Sequence, residues 1–251
     1  MPAPDAPDIP LPDVPLLAAV RALGLDELGR SAEGRPIGGR RFGGPGPALL
    51  VFGGIHGDEP ASVEVLLDLA ARLPPAPAAP IWLVPAANPD GLARGTKNSA
   101  RDVDLNRNFP ARSFATDHAP GYFPGPGPLS EPETRVLADL VDRAAVTGVV
   151  AVHAPFACVN YDGPAAAWAV EVATASGWPA RPHIGYPTPG SLGSWLGVDR
   201  GLPILTLELP PGPADRYRKT AAAALDAALA FHARRAATAN FGGILLSLIH
   251  I

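Results

Sequence analysis

The sequence predicts an α/β fold in which a sheet is covered by helices on both faces. Short apolar segments rich in β-branched residues alternate along the chain with longer Ala- and Leu-rich segments of helical character. The 251 residues, of which 47% are hydrophobic and 18% charged, suffice for one large domain with a substantial core. Glycines and prolines are concentrated in the connections, where they separate the elements.

This alternation places the elements in order along the chain. Predicted strands occupy residues 36–42, 48–52, 81–85, 149–152, 182–184 and 203–208, and predicted helices occupy residues 15–23, 61–73, 131–145, 164–176, 192–199 and 214–237. Ser130 is followed three residues later by Glu133, a capping-box pattern that predicts the start of the third helix. The Gly- and Pro-rich segment 111–129 is long for a simple connection, so we expect it to form part of a cleft wall.

Composition excludes several classes of function. The net charge of -4 and the lack of a Lys/Arg cluster give no basis for nucleic-acid binding. The single cysteine, Cys158, cannot form an intrachain disulfide, and we expect it to be a small buried residue rather than a nucleophile. The first residues carry no secretory-signal pattern and no segment reaches the apolar length of a membrane span. We therefore expect a cytoplasmic protein without a membrane partner. The sequence predicts no particular oligomeric state.

Three residues near strand ends are of the types that bind zinc. His56 and Glu59 stand three residues apart after the apolar run 48–52, and His153 ends the run 147–152. Open α/β sheets place their ligands at the carboxyl ends of strands, so these side chains are expected to converge. Two histidines and a glutamate are a typical set for catalytic zinc, which keeps a fourth position open for water. The sequence therefore predicts one zinc ion per chain.

A lone glutamate, Glu208, lies in the last apolar run of the chain, 203–209. A carboxylate is costly to bury in such a run unless it is paired or used in chemistry. Taken singly, each of these residues has an ordinary explanation. A histidine after a strand is usually a hydrogen-bonded rim residue, and a glutamate on a strand can pair with an arginine. Their combination at three strand ends favours a catalytic metal site.

The ordered motifs of the chain resemble those of the zinc carboxypeptidase family. They are His56-Gly57-Asp58-Glu59, Asn88-Pro89-Asp90-Gly91, Asp104-Leu105-Asn106-Arg107-Asn108-Phe109-Pro110, His153-Ala154-Pro155 and Thr206-Leu207-Glu208-Leu209-Pro210. Within that family, the segments 161–164 and 185–195 resemble the amidases of murein peptides. The resemblance covers residues 29–211. It implies a single-domain zinc-carboxypeptidase-like fold with a mixed, twisted sheet.

The resemblance implies a catalytic role for five matching residues. His56, Glu59 and His153 would hold the zinc ion. Glu208 would take a proton from the attacking water and later give it to the leaving amine. Asp104 would accept a hydrogen bond from the His56 ring and orient it, although an aspartate here could also be a simple turn residue.

Three further residues match positions that bind substrate in the family. Asn106 and Arg107 would grip the substrate carboxylate, since the planar guanidinium meets both oxygens of a carboxylate at once. A surface salt bridge is the alternative explanation for Arg107. Tyr186 would close over the bound substrate, although a tyrosine near a strand end can also serve packing alone.

One position departs from the family pattern. The subfamily usually has an arginine where Lys97 stands, seven residues before Asp104, and this arginine stabilises the developing oxyanion. Lysine keeps the charge but lacks the planar fork of arginine. We expect Lys97 to serve the oxyanion, with Arg94 and Arg101 as alternative donors.

The resemblance also implies how the chain is divided and what it does. We expect a Pro-rich amino-terminal segment and lead-in helix at 1–28, a zinc peptidase or amidase domain at 29–240, and a non-native tail at 241–251. The implied function is zinc-dependent hydrolysis of the γ-D-glutamyl-meso-diaminopimelate bond in a small murein peptide. Two alternatives stay open: a deacylase of the succinylglutamate desuccinylase or aspartoacylase kind, and a non-catalytic binder of wall peptides.

Overall fold

The strands form one mixed sheet at the centre of the molecule. The computed structural model describes the backbone of residues 14–248 and the side chains of residues 14–238. The strands are β1 (Asp26–Arg30), β2 (Pro36–Phe42), β3 (Leu49–Gly53), β4 (Ile81–Val84), β5 (Gly148–His153), β6 (Cys158–Asp162), β7 (Ala180–Arg181) and β8 (Ile204–Glu208). Their order in the sheet is β1-β2-β4-β3-β5-β8-β6-β7. The four central strands are parallel, whereas β2 and β6 join them in antiparallel pairs. The predicted α/β class and the mixed sheet are confirmed.

Helices cover both faces of this sheet. They are α1 (Pro15–Ala22), α2 (Pro60–Arg72), α3 (Pro89–Arg94), α4 (Pro132–Arg143), α5 (Ala166–Ser176) and α6 (Arg218–Leu248), together with a π-helical segment, Gly193–Asp199. Alternate residues of β3 face opposite ways: Leu49 and Val51 pack with α2, α5 and α6, whereas Leu50 and Phe52 pack with α4. None of the described helices has the length and apolarity that a membrane span needs.

Two local predictions are wrong. No strand forms over residues 182–184, because β7 ends at Arg181 and Pro182 has no N–H to continue the ladder. Ser130 does not cap α4, which begins at Pro132 without a side-chain cap. Its partner in the predicted capping box, Glu133, accepts a hydrogen bond from the distant backbone N–H of Ala32 instead.

The limits of the predicted domain can be compared with these elements. The boundary after residue 28 falls inside β1, which pairs with β2. Of the predicted tail, residues 249–251 lie outside the described residues, and the backbone of 241–248 continues α6. Residues 1–13 of the Pro-rich segment also lie outside the described residues.

The carboxyl ends of β3, β5 and β8 meet at one edge of the sheet. His153 and Glu208 pair in register as the last residues of their strands. The chain leaves β3 at Gly53 and enters the loop that carries His56. Within this loop, a Cβ atom at Gly57 would lie 1.9 Å from the backbone carbon of Gly91, so only glycine allows the loop to approach α3 this closely.

Candidate metal centre

The three predicted zinc ligands converge at this edge of the sheet. One ligand atom from each of His56, Glu59 and His153 lies within 4.8 Å of the other two. Nδ1 of His56 is 2.9 Å from one Glu59 carboxylate oxygen, and Nδ1 of His153 is 3.2 Å from the other. Two imidazole nitrogens and one carboxylate form the donor set of a catalytic zinc site, so these residues fit the ion.

The electrostatics of the ligands also suit a cation. Burial would lower the pKa of His56, but hydrogen bonds to Asp104 and Glu59 outweigh it and raise the pKa to about 9. Burial alone would raise the pKa of Glu59. The charges and hydrogen bonds of His153 and His56 outweigh this effect and lower the pKa to about 2. A buried carboxylate therefore holds a proton on a neighbouring imidazole, and a divalent cation can supply the same positive charge in place of that proton.

Asp104 lies behind the ligands and contacts three groups. Its carboxylate accepts hydrogen bonds from Lys97 Nζ at 2.6 Å and from the backbone N–H of Asn106 at 3.0 Å. It also lies 3.1 Å from Nε2 of His56, the ring nitrogen that faces away from Glu59. Burial opposes ionisation of Asp104, but the contact with His56 and the nearby cations hold its pKa well below the usual range. The structure thus places an anionic carboxylate where it can orient the His56 ring.

Glu208 lies next to His153, on the neighbouring strand of the sheet. It is 5% exposed and stands between His153 on β5 and Cys158 on β6 in the sheet register. Among the described residues, nothing hydrogen-bonds to its buried Oε2. Burial raises the pKa of its carboxyl group, an effect that His153 opposes. Because buried polar atoms in native proteins almost always have partners, the free oxygen indicates a position for a non-protein group such as water or substrate.

The three candidate cations occupy different surroundings. Lys97 donates to the carboxylate of Asp104 and to the carbonyl of Gly121 in the long loop. Arg94 and Arg101 are exposed and lie beside glutamates away from the metal ligands. Of these three, the structure therefore brings Lys97 to the site.

Two of the three predicted substrate-binding residues line a cavity of about 430 Å³. Arg107 and Tyr186 line it together with the segment 115–124, which agrees with the cleft-wall position predicted for the long loop. Asn106 lines a second, smaller cavity instead, where its side-chain oxygen accepts a hydrogen bond from the backbone N–H of Leu192 at 3.1 Å. Tyr186 is partly exposed at the rim, with its ring 6.4 Å from that of Tyr122.

A smaller polar cavity of about 40 Å³ lies beside His153 and Glu208, and it contains a residue to which the sequence analysis gave no role. Asp162 lines this cavity together with His153 and Glu208. A Cβ atom at Gly193 would lie 2.3 Å from its Oδ2, so the glycine makes room for the carboxylate. Burial raises the pKa of Asp162, against the effect of His183. An acidic residue at the end of a strand was the signal that could have identified it.

Asn88, the first residue of the Asn88–Gly91 motif, holds two loops of the site together. Its Nδ2 atom donates to the carbonyl oxygens of Ile55 and Asn98, both at 3.2 Å, and to that of Lys97 at 3.4 Å. Its Oδ1 atom caps the start of α3. Asn88 thus ties the loop that carries His56 to the loop that carries Lys97.

Fold and site together define a metal-dependent hydrolase of the α/β class. The profile of the zinc carboxypeptidase family matches residues 21–167, more than half of the chain, and the chain belongs to this family. Murein peptide amidase A of Escherichia coli (strain K12) is 37% identical over an alignment 178 residues long, which covers 66% of this chain and 72% of that protein. Murein peptide amidase A of Vibrio campbellii (strain ATCC BAA-1116) is 35% identical over an alignment 183 residues long, which covers 66% of this chain and 71% of that protein.

Solved structures agree with this assignment. Murein-tripeptide amidase MpaA of Escherichia coli O157 superposes with a TM-score of 0.68 at 33% identity, covering 81% of this chain and 91% of that one. Bovine thrombin-activatable fibrinolysis inhibitor superposes with a TM-score of 0.71 at 18% identity, covering 88% and 94%, and shares the fold. The family and fold expected from the motifs are confirmed.

Proposed function

We propose that this protein hydrolyses an amide bond in murein peptides, and that the bond joins γ-D-glutamate to meso-diaminopimelate. Similarity to murein peptide amidase A from two organisms supports the class of substrate. The observation that carries the chemistry is Glu208, a buried carboxylate with a free oxygen beside the His56, Glu59 and His153 donor set. A protein that only binds wall peptides has no need for such a base.

Each residue of the centre contributes a separate function to the reaction. His56, Glu59 and His153 would hold zinc, which when bound polarises a carbonyl group and lowers the pKa of a water to about 7. Glu208 accepts the proton of the attacking water through its free oxygen. The resulting carboxylic acid donates this proton to the amine of diaminopimelate as the C–N bond breaks. Asp104 holds the His56 ring in one orientation throughout.

The substrate is recognised by charges on both sides of the reacting amide. Diaminopimelate has a carboxylate on the carbon next to the amide nitrogen, which Arg107 and Asn106 bind. Its far end carries an ammonium group, for which Asp162 supplies the counter-charge inside the small polar cavity. Lys97 provides a cation for the developing oxyanion, and Tyr186 covers the substrate from the rim.

The proposal includes a small murein tripeptide as the substrate and the cytoplasm as the location. The one cysteine of the chain, Cys158, is a buried free thiol, which is compatible with a reducing compartment. Immunodetection in fractionated cells checks the location. Recovery of the protein outside the cytoplasmic fraction would overturn this part of the proposal without affecting the chemistry.

A turnover assay with four substrates tests the proposed reaction. We expect zinc-loaded protein to cleave L-Ala-γ-D-Glu-meso-diaminopimelate, and to cleave the matched peptide ending in norleucine at least about tenfold more slowly, since that peptide lacks the distal ammonium group that Asp162 would bind. N-acetyl-aspartate and succinylglutamate should stay intact. Preferential cleavage of either acyl amino acid would identify a deacylase. Binding of the tripeptide without any turnover would identify a non-catalytic binder.

A further inference from the structure

We propose that Tyr122, in the long loop 111–129, is a positioning residue that holds both cations of the site, Lys97 and Arg107. The inference rests on the proposed function, because it gives Tyr122 a part in the same reaction. No sequence motif singles out this tyrosine. Its position follows from the way the loop folds back over the centre.

The face of the Tyr122 ring lies close to both cations. Nζ of Lys97 is 3.6 Å from the ring centre, and the guanidinium carbon of Arg107 is 5.3 Å from it. Both distances lie within the range of about 6 Å over which an aromatic face attracts a cation. Lys97 Nζ is at the same time 2.6 Å from the Asp104 carboxylate, so its ammonium group is held by a carboxylate as well as by the ring.

The loop backbone fixes the ring in this place. The carbonyl of Phe123 accepts a hydrogen bond from the Asp104 backbone N–H at 2.8 Å. The carbonyl of Pro124 accepts another from the buried side chain of Asn108 at 2.7 Å. The residues that follow Tyr122 in the chain are therefore tied to the motif that carries Asp104 and Arg107.

Lysine needs such a restraint more than arginine does. Its ammonium group is a point charge on a flexible four-carbon stem, whereas arginine binds a carboxylate through a planar fork. The Lys97 side chain is 26% exposed, so solvent competes for the ammonium group. The ring face of Tyr122 limits this competition and keeps the ammonium group next to the metal ligands. Among the described residues, the Tyr122 hydroxyl has no hydrogen-bond partner, so the ring and not the hydroxyl carries the function.

Substitutions at Tyr122 separate the ring from the hydroxyl. We expect Tyr122→Phe to keep kcat and KM within about twofold of wild type, and Tyr122→Leu to lower kcat and raise KM, each by about 5- to 30-fold. Phe123→Leu is the matched control, because that ring contacts His118 and neither cation. An equal loss in Phe123→Leu would show that loop packing causes the effect and would overturn the proposal.

A double-mutant cycle tests the contact with Lys97 itself. In the Lys97→Met background, Tyr122→Leu should lower kcat no further. The same cycle in urea unfolding of the metal-free protein gives a readout that needs no turnover. There, Tyr122→Leu should lower the midpoint more with Lys97 present than with methionine at that position. Equal shifts in both backgrounds would overturn the proposal. If wild-type protein cleaves no γ-D-glutamyl peptide, the proposed function fails. The unfolding cycle still shows whether Tyr122 and Lys97 interact.

Discussion

His153 and Glu208 face each other across the ladder between β5 and β8, each as the last residue of its strand. Parallel pairing brings the carboxyl ends of both strands to the same edge of the sheet. The imidazole of a predicted zinc ligand is thus fixed beside a carboxylate that has a free oxygen. Because backbone hydrogen bonds set this arrangement, the predicted ligand and the proposed base are held more firmly than loop residues would be.

We expect purified protein to contain about one zinc ion per chain, and to lose it together with activity on chelation. His153→Ala removes one of three ligands, so zinc affinity should fall at least about tenfold. His118→Ala, at an exposed histidine of the long loop, is the control and should keep its zinc. Elemental analysis of the three proteins measures this. Equal zinc contents in wild type and His153→Ala would refute the ligand set.

Substitution of Lys97 tests whether its charge acts in the transition state. Lys97→Ala should lower kcat and kcat/KM together by about 10²–10³-fold, and Lys97→Arg should preserve or raise kcat. Steady-state kinetics on one amidase substrate distinguishes the outcomes. A rise in KM at constant kcat would assign Lys97 to binding of a substrate carboxylate. No change in either parameter would transfer the oxyanion role to Arg94 or Arg101.

Asp162→Asn should weaken recognition of the distal ammonium group of diaminopimelate. The amide keeps the volume of the side chain but not its charge, so KM for the diaminopimelate peptide should rise about tenfold. KM for a peptide with neutral norleucine in that position should not change. Asp117→Asn is the control in the larger cavity. If Asp117→Asn raises KM for the diaminopimelate peptide and Asp162→Asn does not, the ammonium group binds in the larger cavity.

Acid should destabilise the fold through His232, which lies far from the metal centre. Burial, together with the charge of Arg235, lowers the pKa of this histidine from 6.5 to about 4. The unfolded chain therefore binds the proton more readily, and stability is lost as the pH falls from about 6.5 to about 4. Between pH 7 and pH 5 this loss is about 2 kcal/mol. In urea unfolding, His232→Asn should lose less of its free energy of unfolding between pH 7 and pH 5 than wild type does. His118→Asn, at an exposed histidine, should lose as much as wild type.

The ligands could be predicted from the sequence because they follow strong apolar runs. Strands β3, β5 and β8 are buried on both faces, so their sequences alone predict them, and the residues after them fall at one edge. Strands β1 and β6 could not be predicted in this way. Both segments include polar residues, such as Glu27 in β1 and Asp162 in β6, and lack a continuous apolar run. They become strands because they pair with β2 and β8.

The parts of the site that escaped prediction depend on contacts between distant segments. Tyr122 acquires its cations only because the long loop folds back, and Asp162 meets its cavity only because Gly193 leaves room for it. The predicted capping box failed for the same reason, since Glu133 finds a partner 101 residues away. Local patterns carry no information about such contacts.

The most direct test of the catalytic centre is the kcat of Glu208→Gln, measured together with its zinc content. The amide keeps the shape of the side chain but cannot accept the proton of the attacking water. We expect this variant to retain about one zinc ion per chain and a near-normal KM, while kcat for L-Ala-γ-D-Glu-meso-diaminopimelate falls at least about 100-fold. Glu171→Gln, on the surface of α5, should behave as wild type. A Glu208→Gln protein that holds zinc and keeps more than about a tenth of wild-type kcat would contradict the assignment of Glu208 as the base.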